Sequence, residues 1–250
     1  MTDTQTIADG TNSNVVVSVD AMGGDKGPGV IIAGLLRAVH THSNIRFLVH
    51  GPQAVLAPLI DKHNLEEFCT IVHAERTVSM DDKPSQVMRH GKGTSMWSAV
   101  TSVKQKEADA CVSCGNTGAL MAISMVRLRK LAGINRPAIA ILWPSFGPNG
   151  SNVMLDVGAD VRADESDLLQ FALMGASYSR NGFAVKRPRV GLLNVGTEEH
   201  KGSAELKAAH DLIKESAESG KFEFVGFVEG GDIPSDRRDV NVTDRFTGNV

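Results

Sequence analysis

Between residues 15 and 250 the chain changes its hydrophobic period many times. Val15-Val16-Val17-Ser18-Val19 is a β-branched run stopped by Asp20 and by Gly23-Gly24, and it predicts a buried strand. From Pro28 to about Val39, apolar residues recur at Val30, Ile31, Ala33, Leu35 and Ala38. That is helical spacing, with Pro28 suited to a first turn. The two patterns then alternate. Further strands are expected at Ile45–Val49, Thr70–Val72, Ala110–Ser113, Ala138–Leu142, Val153–Val157, Val190–Val195, Phe222–Phe227 and Val240–Val242. Helices are expected from Pro52 to about His63 with a bend at Pro58, over Pro84–Glu107 with a break at Gly91–Gly93, and over Ala119–Leu131, Ser166–Ser179 and Ala204–Ser219.

Most predicted strands are continuous apolar runs, not in–out alternations. That pattern belongs to strands covered on both faces, so the expected architecture is a three-layer α/β/α fold around a mainly parallel sheet. No internal repeat is visible, and no Pro/Gly/Ser-rich linker interrupts 15–250. That span is therefore read as a single α/β catalytic domain, with residues 1–14 as a disordered polar tail.

Composition narrows the picture. The 250 residues are 42% hydrophobic and 22% charged, with a net charge of −3, close to an average globular protein. Nothing basic asks for nucleic acid. No apolar run approaches the roughly 18 residues of a membrane span, and the polar N-terminus is not a signal peptide. Three cysteines, Cys69, Cys111 and Cys114, are too few and too irregular for a disulfide framework and point to a reducing cytoplasm. Cys111-x-x-Cys114 lacks the second pair that zinc would need. Asn241-Val242-Thr243 matches a glycosylation sequon, which a cytosolic chain would not use. Glycine is the outlier, 25 of 250 residues against a usual value of about 7%.

Those glycines cluster after predicted strands, where ligands bind in parallel α/β folds. The loops are Asp20 to Asp25 (with Gly23 and Gly24), Ser113 to Gly118 (with Gly115, Asn116 and Thr117), Asp156 to Ala159, Asn194 to Glu198 (with Gly196), and Thr247 to Asn249. Each joins glycine to a small polar or acidic group. Glycine lets the backbone approach a ligand, and a following helix N-terminus offers free N–H groups to an anion. Ordinary βα turns also look like this one at a time, but five on one sheet edge point to a phosphate-sized anion site. Ser113–Gly118 is the best single cradle, with Asn116 or Thr117 as helix N-cap. A P-loop and a G-x-G-x-x-G fingerprint are both absent. Lys201 is the most suggestive cation, placed to hold a phosphate or oxyanion, although a solvated surface lysine is equally compatible with its neighbours. Arg89, His90 and Lys92, and Arg127, Arg129, Lys130 and Arg136, form basic clusters. These are either solvated faces or docking ground for an acidic protein.

Several segments in order resemble the bacterial phosphate acyltransferases. They are Val19–Asp25, Pro84-Ser85, Thr94–Met96, Ala108–Met121, Arg136–Ala138, Leu155–Ala159, Gln170–Gly175, Pro188–Glu198 and Phe246–Val250. The resemblance implies a fold akin to isocitrate/isopropylmalate dehydrogenases and phosphotransacetylases. It implies transfer of a fatty acyl chain from acyl carrier protein to inorganic phosphate at the start of phospholipid synthesis, without metal or organic cofactor. It implies a cytoplasmic homodimer, peripheral at the inner membrane face and in contact with a membrane glycerol-3-phosphate acyltransferase. Lys201 and Asn249 fall on family positions associated with catalysis. Cys114 and Arg245 stand where the family usually has alanine and glycine. Family members run on past Val250, so the chain is read as lacking C-terminal helices. Two alternatives stay open: a coenzyme A-dependent phosphotransacetylase or dehydrogenase on the same scaffold, and a non-catalytic anion-binding protein.

Overall fold

A computed structural model describes residues 14–158, 163–196 and 203–243. The chain divides into two compact units, Met1–Arg129 and Lys130–Val250. The boundary falls in the basic stretch after a helix, where no linker composition marks it in the sequence.

The N-terminal unit is built on four strands, β1 (Val15–Asp20), β2 (Ile45–Gly51), β3 (Cys69–His73) and β4 (Ala110–Ser113). They form a parallel sheet in the order β3-β2-β1-β4. Its helices are α1 (Pro28–Thr41), α2 (Gln53–Lys62), α3 (Pro84–His90), α4 (Ser95–Lys104) and α5 (Thr117–Arg127). Alternate residues of β1 separate the two faces. Val17 and Val19 join Phe47, Val49, Ile32, Leu35, Leu56 and Ile60 in a core under α1 and α2. Ser18 points the other way, and its hydroxyl donates to the Ala99 carbonyl in α4 at 2.8 Å. The expected parallel sheet with covered faces is therefore present. α2 runs through Pro58 as one helix. The 84–107 pattern resolves into α3 and α4, parted at Gly91–Gly93 as expected.

A second buried group completes this face. His50 is fully buried, with Nε2 2.9 Å from Ser18 Oγ and Nδ1 2.9 Å from Ser98 Oγ. Because Ser18 spends its proton on Ala99, it accepts from Nε2–H, and Ser98 donates to Nδ1. The network suits a neutral imidazole, and burial pushes the His50 pKa down to about 4.

The C-terminal unit has β5 (Ile141–Pro144), β6 (Ser151–Leu155), β7 (Arg189–Leu193), β8 (Glu223–Val228) and β9 (Val240–Val242), in the order β5-β6-β9-β7-β8. All pairs are parallel except β5 with β6. α6 (Glu165–Phe183) and α7 (Ala204–Ser216) cover one face. Leu168, Phe171, Ala176, Leu206 and Ile213 pack there on Val153, Val190, Leu192, Val240 and Val242. The strand expected at Ala138–Leu142 starts later, at Ile141. Ile139 is drawn off instead, its N–H donating to Asp156 Oδ1 at 2.8 Å and its carbonyl accepting from Val157 N. Asn241 lies fully buried in the middle of β9, so the sequon is inaccessible.

Candidate functional site

In the N-terminal unit, the β1 and β4 pairing sets Asp20 beside Ser113, and the two glycine loops leave the sheet edge together. Ser113 Oγ donates to Asp20 Oδ2 at 2.7 Å and accepts from Gly115 N at 3.1 Å. Asp20 Oδ1 accepts from Met22 N. The loops then touch backbone to backbone. A Cβ on Gly23 would lie 2.7 Å from the Gly115 nitrogen, and one on Gly115 would lie 3.2 Å from the Gly23 Cα. Gly24 has φ +95, with a Cβ position 3.0 Å from the Cys114 carbonyl oxygen. Here glycine is required by space and by conformation.

Beyond that contact, the chain enters α5. Asn116 is the N-cap, its Oδ1 accepting from Ala119 N at 3.0 Å. Its Nδ2 donates to the Met80 and Asp82 carbonyls at 2.8 and 2.9 Å. Its side chain is thus a clamp, with no hydrogen left for a ligand. Gly118 also packs structurally, its missing Cβ facing Pro84 Cγ at 2.9 Å. Among the described residues, the first-turn N–H groups of Thr117 and Gly118 meet no acceptor, while Ala119 N and Leu120 N are satisfied by Asn116. With the α5 dipole behind them and the Thr117 hydroxyl beside them, they can hold an anion. Asp20 and Ser113 shape this cradle from below. Asp20 is 1% exposed and repels a bound anion, so its part is to orient Ser113 and the Gly115 amide.

In the C-terminal unit, β9 lies between β6 and β7, which lines up the strand ends Asp156, Thr243 and Asn194. Asp156 N donates to the Thr243 carbonyl at 3.0 Å, and Asp156 Oδ1 accepts from Gly158 N at 3.3 Å. Asn194 Oδ1 accepts from Val195 N at 2.9 Å. Asp156 and Asn194 are each 2% exposed, and Gly196 is buried. A cleft of about 440 Å³ opens beside Asn194, walled by Trp143, Met154, Leu193, Ile233 and Pro234. Glu198, Lys201, Ala159, Arg245 and Asn249 lie outside the described residues.

The cysteines are all free thiols. Cys111 is pushed up to about 11 by burial and then by the Asp20 charge, and Cys69 to about 11 by burial and then by Glu66. Neither is a ready thiolate. Two groups escape sequence reading: the Ser18–His50–Ser98 network and Arg76. Arg76 belongs with the Arg89–His90–Lys92 cluster in space but not in sequence. The Gly91-x-Gly93 turn that brings it there is the one signal that could have flagged it.

The fold is shared with two proteins of known structure. A phosphotransacetylase from Streptococcus pyogenes superposes with a TM-score of 0.67 at 14% identity, over 94% of this chain and 79% of that one. A branched-chain phosphotransacylase from Enterococcus faecalis gives 0.59 at 12% identity, over 94% and 81%. At such identities these likenesses define the fold class. The sequence places the chain more narrowly. Residues 15–250 match the fatty acid synthesis protein family, and the chain belongs to that family. Relatives named phosphate acyltransferase include those of Cereibacter sphaeroides, 65% identical over 94% of this chain, and Paracoccus denitrificans, 65% identical over 97%. The Jannaschia relative is 60% identical over the whole chain. The chain spans 64% of the Cereibacter relative's length, 66% of the Paracoccus one and 69% of the Jannaschia one.

Proposed function

We propose that this chain carries phosphate acyltransferase machinery, moving a fatty acyl group from acyl carrier protein to inorganic phosphate. The observation that carries the reading is identity of 60–65% with phosphate acyltransferases over 94% of the chain or more. The β1–β4 cradle supports it by offering N–H donors to a phosphate at the N-terminus of α5. A phosphate oxygen attacks the thioester carbon, the tetrahedral oxyanion collapses, the C–S bond breaks, and the carrier leaves as thiolate. Phosphate is nucleophilic near neutral pH, so the protein's task is positioning and charge stabilisation. Lys201 and Asn249 are assigned to the phosphate and the developing oxyanion.

The same reading makes the protein a cytoplasmic homodimer, peripheral to the inner membrane face and handing its product to a membrane glycerol-3-phosphate acyltransferase. Among the described residues no helix is long and apolar enough to cross a membrane. The test is formation of acyl phosphate from acyl carrier protein thioester and phosphate, with acyl-coenzyme A as the competing donor. Wild-type turnover with the carrier protein, lost on Lys201→Ala, supports the reading. Turnover with coenzyme A alone replaces it with the phosphotransacetylase alternative, and unchanged activity in Lys201→Ala removes the role given to that lysine.

A further inference from the structure

A second anion-seeking feature lies in the N-terminal unit. A pocket of about 450 Å³ is lined by Arg76, Arg89 and His90 around a floor of Val78 and Val87. Both valines are under a tenth exposed. Arg76 is held in place by a closed turn. Its carbonyl accepts from Ser95 N at 2.9 Å, and its Nη2 donates to the carbonyls of His90 and Lys92. Thr94 locks that turn, its Oγ1 donating to the Gly91 carbonyl at 2.7 Å and capping α4 through Trp97 N. A guanidinium already tethered loses little further freedom when it grips a ligand.

The lining is net positive, two arginines against one carboxylate. Among the described residues, Arg76, Arg89 and His90 form no ion pair. The carboxylate on the lining is Asp82, and its Oδ2 accepts from Ser79 N at 2.9 Å. Such a pocket favours an anion. Its volume lies in the range of pockets for whole organic ligands and exceeds what inorganic phosphate fills. With an apolar floor, the complementary ligand is a phosphate carried on an organic stem. The pocket also shares a wall with the glycine cradle. The segment 80–84 is clasped by Asn116 at Met80 and Asp82 and pressed by Pro84 against Gly118.

We propose that this pocket holds the phosphodiester at the base of the acyl donor's pantetheine arm, while the glycine cradle holds the attacking phosphate. The inference rests on the acyltransferase reading and adds a donor subsite to it. Carrier protein and coenzyme A present the same phosphorylated arm, so the shared chemistry is that of 4′-phosphopantetheine.

The experiment is calorimetric titration with 4′-phosphopantetheine and with pantetheine, which lacks the phosphate. Wild type is expected to bind the phosphorylated form at least about tenfold more tightly, as charge-assisted guanidinium contacts imply. Arg89→Gln is expected to erase that advantage and leave pantetheine binding unchanged. Arg89 is exposed and, among the described residues, its side chain makes no hydrogen bond, so the variant should keep the wild-type melting temperature. Arg76→Gln serves as the second variant. Equal affinity for the two ligands, no binding of either, or an advantage that survives both substitutions overturns the proposal.

Acyl phosphate formation separates this from the activity itself. If wild type turns over and Arg89→Gln keeps its KM for the acyl donor, the pocket assignment fails and the activity stands. If no donor is turned over but Arg89-dependent phosphopantetheine binding persists, the activity fails and the pocket stands. A KM raised for acyl carrier protein and acyl-coenzyme A alike supports recognition of the common arm. A rise for coenzyme A alone assigns the pocket to its nucleotide phosphates and overturns the arm.

Discussion

Ser113 donates its hydroxyl hydrogen to Asp20 across 2.7 Å, although 93 residues separate them in the chain. The bond joins the last residues of two neighbouring parallel strands and turns a buried carboxylate into a ruler for the β4–α5 loop. Ser113→Ala removes the donor, leaves Asp20 Oδ2 with a missing partner and releases the Gly115 N–H. The expected cost is about 1–3 kcal/mol of stability. A double-mutant cycle with Asp20→Asn, read by urea unfolding, should show a coupling above about 0.5 kcal/mol. Additive effects would mean that the two groups do not work as a unit.

Glycine substitutions should divide sharply by place. Gly23→Ala puts a methyl carbon 2.7 Å from the Gly115 nitrogen and must push the two loops apart. Phosphate affinity, followed by ³¹P NMR titration, should fall at least tenfold, about 1.4 kcal/mol. Gly34, on the exposed side of α1, has open space around its Cβ position. Gly34→Ala should raise stability by about 0.5–1 kcal/mol through helix propensity and leave phosphate affinity alone.

Acid should weaken the N-terminal unit through His50. Its folded pKa is depressed to about 4 from an ordinary 6.5, so the unfolded chain takes up the proton first as pH falls. The stabilisation held above pH 6.5 is lost progressively down to about pH 4 and changes no further below. The total is at most about 3 kcal/mol. Urea midpoints measured at pH 7 and 4.5 should differ accordingly, and His50→Gln should flatten that dependence.

Asn116→Ala removes an N-cap and two bonds to the 80–84 segment together. The cap alone is worth about 1 kcal/mol. The more telling readout is limited proteolysis, with new cleavage expected near Lys83, and unchanged protection there would deny the clamp.

The strands and helices were largely legible because each buries a stripe or run whose period survives in one dimension. The glycine loops were legible as a set, since five of the predicted strands ran into one. Residue roles within them were less so. Asn116 reads as a ligand group in Asn116-Thr117-Gly118, yet Met80 and Asp82, distant in sequence, take both hydrogens of its amide. Ala138–Leu142 reads as a strand, yet Asp156 captures the Ile139 N–H and moves the start to Ile141.

By itself, the sequence determined the α/β class, the strand-end glycines and membership of the fatty acid synthesis protein family, because local periodicity and residue identity encode them. Tertiary structure alone decided that Gly23 faces Gly115, that Ser18 seals a neutral His50, and that Arg76 joins Arg89 around one pocket. Those relations depend on which strands become neighbours, and strand order is set by burial of the whole sheet and not by any one segment.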